Sequence, residues 1–230
     1  MAQVDKPILP PFLYRYRKIP NGDDLLLKQE IAAIKNEVLW CSAYKQMNDP
    51  MEGFYEPTGR FQKHTSYSRA VGDILDAKRS FGICCFSDTH DNELMWTHYA
   101  SNYEGICVGY RPDALVSALP DDVHLVRVAY GAKPPDITAN DGSVPRQAAR
   151  KILSHKKSSW VYEREWRVLG EPGPVSIAGK RCVTELRLGS RINNPHRDAL
   201  LQAAKGTKIR VYRMTINQYE HGWERLNPAK

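Results

Sequence analysis

The chain has 230 residues, of which 42% are hydrophobic and 26% charged, with 15 Gly and 15 Pro; this is ordinary composition for one folded domain and excludes a disordered chain, a collagen-like repeat and a coiled coil. The net charge of +7 is uneven: residues 1–120 carry 13 Lys and Arg against 15 Asp and Glu, and residues 121–230 carry 20 against 11, a basic half that favours a polyanionic partner such as nucleic acid, a phosphate-bearing cofactor or an acidic protein. No window approaches the ~20 apolar residues of a membrane span and the first residues lack a basic-then-apolar signal pattern, so a cytoplasmic protein without membrane contact is expected.

In chain order, Phe12–Tyr16 reads as a first strand. Asp23 can cap a helix whose apolar positions Leu27, Ile31, Ile34 and Val38 keep helical spacing, with its end near Asn36. Val38–Ala43 is a strand and Asn48-Asp49-Pro50 a turn, because the residue before a proline leaves the helical region. Residues 65–79 read as a helix and Phe81–Phe86 as a buried strand. The polar cluster Ser87–Asn92 opens a helix bearing Met95, Trp96, His98, Tyr99 and Tyr103, followed by strands at Gly105–Tyr110 and Val123–Tyr130. The Pro, Gly and Asp of Gly131–Pro145 mark an exposed loop, a candidate lid or subdomain joint. Ser143 and Pro145 open a helix reaching Ser158. Trp160–Leu169, 182–188 and 208–216 are strands, the last two separated by a helix near 195–205. Such irregular alternation predicts a single α+β domain over 1–230, with a mixed, mostly antiparallel sheet, open to being split, flanked by helices. The five cysteines (Cys41, Cys84, Cys85, Cys107 and Cys182) form no C-x-x-C pair and read as reduced, mostly core residues.

The phosphate-binding patterns G-x-G-x-x-G and G-x-x-x-x-G-K-[ST] are missing, as are G-x-S-x-G and H-E-x-x-H. Four segments could carry chemistry. In Tyr162-Glu163-Arg164-Glu165-Trp166-Arg167 a strand would put Glu163, Glu165 and Arg167 on one face, with the carboxylates ~7 Å apart; repulsion and the arginine would then split their titration, unless the segment is a solvated edge strand. Asn92–Tyr103 offers an aromatic stripe of Trp96, Tyr99 and Tyr103, suited to a core or to stacking on a flat ring. His90, Glu93 and His98 do not share one helical face, which speaks against a metal. Phe12–Arg17 alternates Tyr14 and Tyr16 with Arg15 and Arg17, an aromatic and cationic pair of faces fit for a base and a pyrophosphate. Met47–Glu52 is an Asx turn that could lay polar side chains along a pocket.

Taken together, Leu13–Arg17, the strand before Asn48-Asp49-Pro50, Cys85-Phe86-Ser87, Met95–Ala100 with Gly105–Gly109, and Trp160–Arg167 resemble the bacterial family known as domain of unknown function 2971. More distantly the chain resembles ADP-ribosyltransferase-like folds, in which a split sheet holds NAD. That resemblance implies Tyr14 or Arg15 gripping the dinucleotide, Tyr99 or Trp96 packing on nicotinamide, Arg15 and Arg167 holding pyrophosphate, Glu165 stabilising the ribosyl cation and Glu163 positioning the acceptor. It implies a cytoplasmic toxin or defence effector, with a nucleic-acid or protein acceptor and an antitoxin or regulator as partners. Two other classes fit the composition: a non-catalytic nucleic-acid-binding accessory domain, and a metal-dependent nuclease using Asp49, Glu52, His90 and Glu93.

Overall fold

The computed structural model describes residues 3–4 and 8–227. Asp23 starts the first long helix as its chemistry requires, its carboxylate accepting from the Leu26 amide at 3.0 Å. The elements are β1 (Gln3–Val4), β2 (Leu13–Arg17), α1 (Asp24–Lys35), β3 (Val38–Ala43), β4 (Glu56–Pro57), α2 (Gly59–Gln62), α3 (Tyr67–Arg79), β5 (Gly82–Ser87), α4 (Glu93–Tyr99), β6 (Ile106–Tyr110), α5 (Pro112–Ala118) and β7 (His124–Arg127). They continue as β8 (Ala129–Gly131), β9 (Asp136–Ile137), α6 (Ala139–Gly142), α7 (Pro145–Leu153), β10 (His155–Lys157), β11 (Glu165–Gly170), β12 (Gly173–Ser176), β13 (Val183–Leu188), α8 (Asn194–Ala204), β14 (Arg210–Asn217) and β15 (Glu220–Leu226).

Five expectations need correcting. Residues 160–169 are not one strand: Ser158–Glu163 is a 3-10 helix, Arg164 turns the chain through a left-handed conformation (φ 48°), and only then does β11 begin. Nor is β11 a solvated edge, since it is buried along its length between β5 and β7. The aromatic stripe ends early, because α4 stops at Tyr99 and three left-handed residues, Ser101, Asn102 and Tyr103, return the Tyr103 ring to stack 6.2 Å from Trp96. Residues 131–145 are largely exposed but structured: β9 pairs with β4, α6 follows, and Ile137 is fully buried. The helix expected to reach Ser158 stops at Leu153. β12 and β15, which no sequence pattern announced, widen the sheet.

The main sheet runs β1-β7-β11-β5-β2-β6-β13-β14-β15, and most of its pairings are antiparallel. It forks at β5. One edge of β5 meets β11 over six residue pairs; the other meets β2 only at Tyr14↔Ser87 and β3 only at Ser42↔Ile83 and Ala43↔Gly82. Arg15 of β2 spans the fork by donating to the Trp40 carbonyl of β3 at 2.8 Å. One sheet face buries the largest core, with Leu13, Cys84, Phe86, Val108 and Trp166. On the opposite face Tyr14, Tyr16 and Cys107 pack under Met95 and Trp96 of α4. A cavity of about 190 Å³ opens at the fork.

Candidate functional site

The cavity wall is built from β2, the end of β3, the turn at Asn48–Glu52, β5, α4, Lys156 of β10 and the two glutamates that flank Arg164. Two-residue strand periodicity puts Glu165 and Arg167 on one face of β11. Both are buried, and Arg167 is 0% exposed. Its guanidinium donates from Nε to Glu165 Oε1 (2.8 Å), from Nη2 to Glu165 Oε2 (2.9 Å) and Glu52 Oε2 (3.1 Å), and from Nη1 to Glu52 Oε1 (2.6 Å) and the Leu153 carbonyl (2.5 Å). Five N–H donors therefore meet five acceptors, and none is left for a ligand. The pyrophosphate-binding role expected of Arg167 does not fit this geometry; it clamps Glu165 and Glu52.

Glu163 reaches the same place from the last turn of the 3-10 helix. Its Oε2 accepts from Lys156 Nζ at 2.6 Å and its Oε1 from the Tyr99 hydroxyl at 2.6 Å, while Lys156 Nζ stands 3.7 Å from Glu165 Oε2. One ammonium thus lies between two carboxylates, with Trp160 underneath at 4.6 Å. The two acids are driven apart. Burial disfavours ionisation of both, but Arg167 and Lys156 overcome it at Glu165 and hold its carboxyl down at about 2. At Glu163 burial and the neighbouring Glu165 charge prevail over Lys156 and Tyr99, and the carboxyl titrates above its ordinary value. Burial, reinforced by the bond to Glu163, pushes the Tyr99 phenol up, so it remains a proton donor.

Of the residues expected at a site, Tyr14, Arg15, Tyr99, Glu163 and Glu165 all line the cavity. Trp96 does not. It is 0% exposed, donates to the His90 carbonyl at 2.8 Å and packs edge-on against Tyr16, which makes it a core residue, not a ring-stacking surface. Glu163 and Glu165 converge, though through Lys156 and not as neighbours on a strand. Asp49 caps its own turn by accepting from the Met51 amide at 2.9 Å, and Glu52 belongs to Arg167. His90 instead pairs with Asp91 at 2.6 Å and meets Tyr14 edge-on, and Glu93 and His98 are exposed. The nuclease reading loses its ligand set: among the described residues no group of three His, Cys, Asp or Glu is placed to hold a metal.

Sequence reasoning missed Lys156, Glu52 as a partner of Arg167, and Tyr130, whose hydroxyl accepts from the Glu165 amide at 2.8 Å. A buried lysine in a His-Lys-Lys run carries no local mark of burial, and the Glu52–Arg167 contact closes over 115 residues. A second concavity, lined by Arg127, Val128, Ala129, Tyr130, Val161 and Arg164, shares Tyr130 with this shell. Among the described residues no helix is long and apolar enough to cross a membrane.

No curated protein and no solved structure matches the chain. The family resemblance read from the sequence does hold over the stretch that carries Tyr99, Lys156, Glu163, Glu165 and Arg167: residues 95–168 match the family described as protein of unknown function (DUF2971).

Proposed function

We propose that the protein consumes NAD, breaking the nicotinamide–ribose bond as an ADP-ribosyltransferase or glycohydrolase. One observation carries the reading: two buried carboxylates, one held ionised and one titrating high, share a lysine and a tyrosine in a cavity at the fork of the sheet. Paired acids pushed in opposite directions are the arrangement that glycoside-type chemistry needs. As the C–N bond breaks, the electron pair leaves with nicotinamide and positive charge builds on the ribose. The fixed charge of Glu165 would stabilise that cation, because Arg167 and Lys156 orient it before the reaction begins. Glu163 would take the proton of the attacking water, hydroxyl or amine as the new bond forms.

A cavity of about 190 Å³ is smaller than the ~300–1,000 Å³ that encloses a whole drug-sized ligand. It suits the nicotinamide riboside end of the dinucleotide, with the adenosine half outside. Tyr99 lies at the wall where the nicotinamide would sit, and Arg15, with donors left after its bond to Trp40, is the cation for the pyrophosphate. Exposed Arg127 and Arg164, in the concavity beyond Tyr130, favour a nucleic-acid acceptor over a neutral one.

The test is nicotinamide release from NAD, with and without RNA or DNA. Wild-type protein should release it, Glu165→Gln should lose about 10²–10³-fold, and Glu163→Gln about 10²-fold or more. Rate should fall as pH drops through the raised pKa of Glu163, and that acid limb should vanish in Glu163→Gln. Folded protein that releases no nicotinamide under any of these conditions, yet binds RNA equally well as Glu165→Gln, would overturn the reading in favour of non-catalytic nucleic-acid binding.

A further inference from the structure

The fork of the sheet also brings two cysteines face to face. β3 and β5 run antiparallel with Ser42 opposite Ile83 and Ala43 opposite Gly82. Continuing that register by one pair places Cys41 opposite Cys84. Directly opposed residues of antiparallel strands have Cα atoms ~4.5–5.5 Å apart, inside the ~4.4–6.8 Å that a disulfide spans. Both side chains turn into the same core, and the two thiols share a hydrogen bond. Both are free.

We infer that Cys41 and Cys84 are an oxidation site, a thiol pair that closes into a disulfide across the fork when the protein meets a peroxide. The inference stands on strand register and is independent of any activity toward NAD. Its chemistry is supported by the surroundings. Burial opposes ionisation of Cys84, but the hydrogen bond from Cys41 and the Arg15 guanidinium outweigh it and bring the Cys84 thiol to about 7, while Cys41 is pushed up. Cys84 is therefore the more readily ionised of the two and Cys41 the thiol that answers it. The Cys84 sulfur attacks the peroxide O–O bond and takes one oxygen as a sulfenic acid; the other oxygen leaves as hydroxide and is protonated to water. The Cys41 sulfur then attacks the Cys84 sulfur, forming the S–S bond and releasing the sulfenic oxygen as a second water. In sum, two thiols and one peroxide give one disulfide and two waters. Arg15, whose charge acts on Cys84, lines the cavity at the fork.

Reduced protein is exposed to hydrogen peroxide, alkylated and digested with trypsin without reduction, with circular dichroism to confirm that it stays folded. Free thiols should fall from five to three. Residues 36–45 should appear linked to residues 80–127, because trypsin does not cut between Arg111 and Pro112, and dithiothreitol should separate them. Because the second peptide holds three cysteines, Cys85→Ser and Cys107→Ser should keep the link, while Cys84→Ser and Cys41→Ser should abolish it. Five thiols persisting in folded wild-type protein, a link that survives Cys84→Ser, or a bond between the adjacent Cys84 and Cys85 would each overturn the assignment. The wild-type and Cys85→Ser results decide the matter even if a core variant fails to fold.

Discussion

Arg167 shows how one side chain can look like a ligand contact and be something else. Its spacing to Glu165 was visible as Glu-x-Arg, but its second partner, Glu52, lies 115 residues away, and only the fold brings them within 2.6 Å. Removing the guanidinium would leave Glu52 buried without its cation and Glu165 with only the Lys156 ammonium that it shares with Glu163. Arg167→Met should therefore cost about 3–5 kcal/mol in urea unfolding, with Arg167→Lys intermediate because one ammonium cannot replace a five-donor fork. Arg167→Met as stable as wild type would refute the clamp. Glu165 and Glu163 differ for a related reason. Both are acids in one cavity, but Glu165 accepts two bonds from the Arg167 guanidinium that it shares with Glu52 and stays ionised, whereas Glu163 has only a shared ammonium and a neutral phenol. That division was anticipated in kind from two carboxylates beside an arginine, though which one stays charged depends on contacts the sequence leaves open.

The strands and helices with strong local signals formed where periodicity and capping placed them: α1 between Asp23 and Asn36, and β3 over Val38–Ala43. Local reading failed where tertiary contacts override alternation. Residues 160–169 alternate like a strand, yet Glu163 is drawn to Lys156 and Tyr99, and Arg164 adopts a left-handed turn before β11 starts. The return from α4 to β6 is another such place. Three left-handed residues bring the chain so close to β2 that a Cβ on Gly105 would sit 2.2 Å from the Arg17 carbonyl oxygen and 3.0 Å from the Ala100 backbone. Backbone atoms cannot rotate away as a side chain tip can. Gly105→Ala should accordingly lose about 1–3 kcal/mol or more of stability, read as a lower thermal midpoint; an unchanged midpoint would mean that the β2–β6 approach is looser than it looks.

Across the molecule, the fork at β5 ties the cavity, the paired glutamates and the facing cysteines to one departure from regular sheet geometry. Because β2 touches β5 at a single residue pair, the Arg15–Trp40 bond is the polar link across the gap. Arg15→Ala should speed amide hydrogen exchange in β3 while leaving β13 and β14 unchanged, and uniform exchange in both would show that the fork is braced elsewhere. The class of the fold, its mostly antiparallel sheet and the majority of cavity-lining candidates were legible from the chain because alternation, capping and turn chemistry act over a few neighbouring residues. The departures of Trp96 into the core and Arg167 into an internal clamp, the arrival of Lys156 and Glu52, and the facing of Cys41 and Cys84 were decided by the tertiary structure alone. Each depends on strand register and on pairs tens of residues apart, where burial and charge are set by what the fold brings near and not by what the sequence puts next.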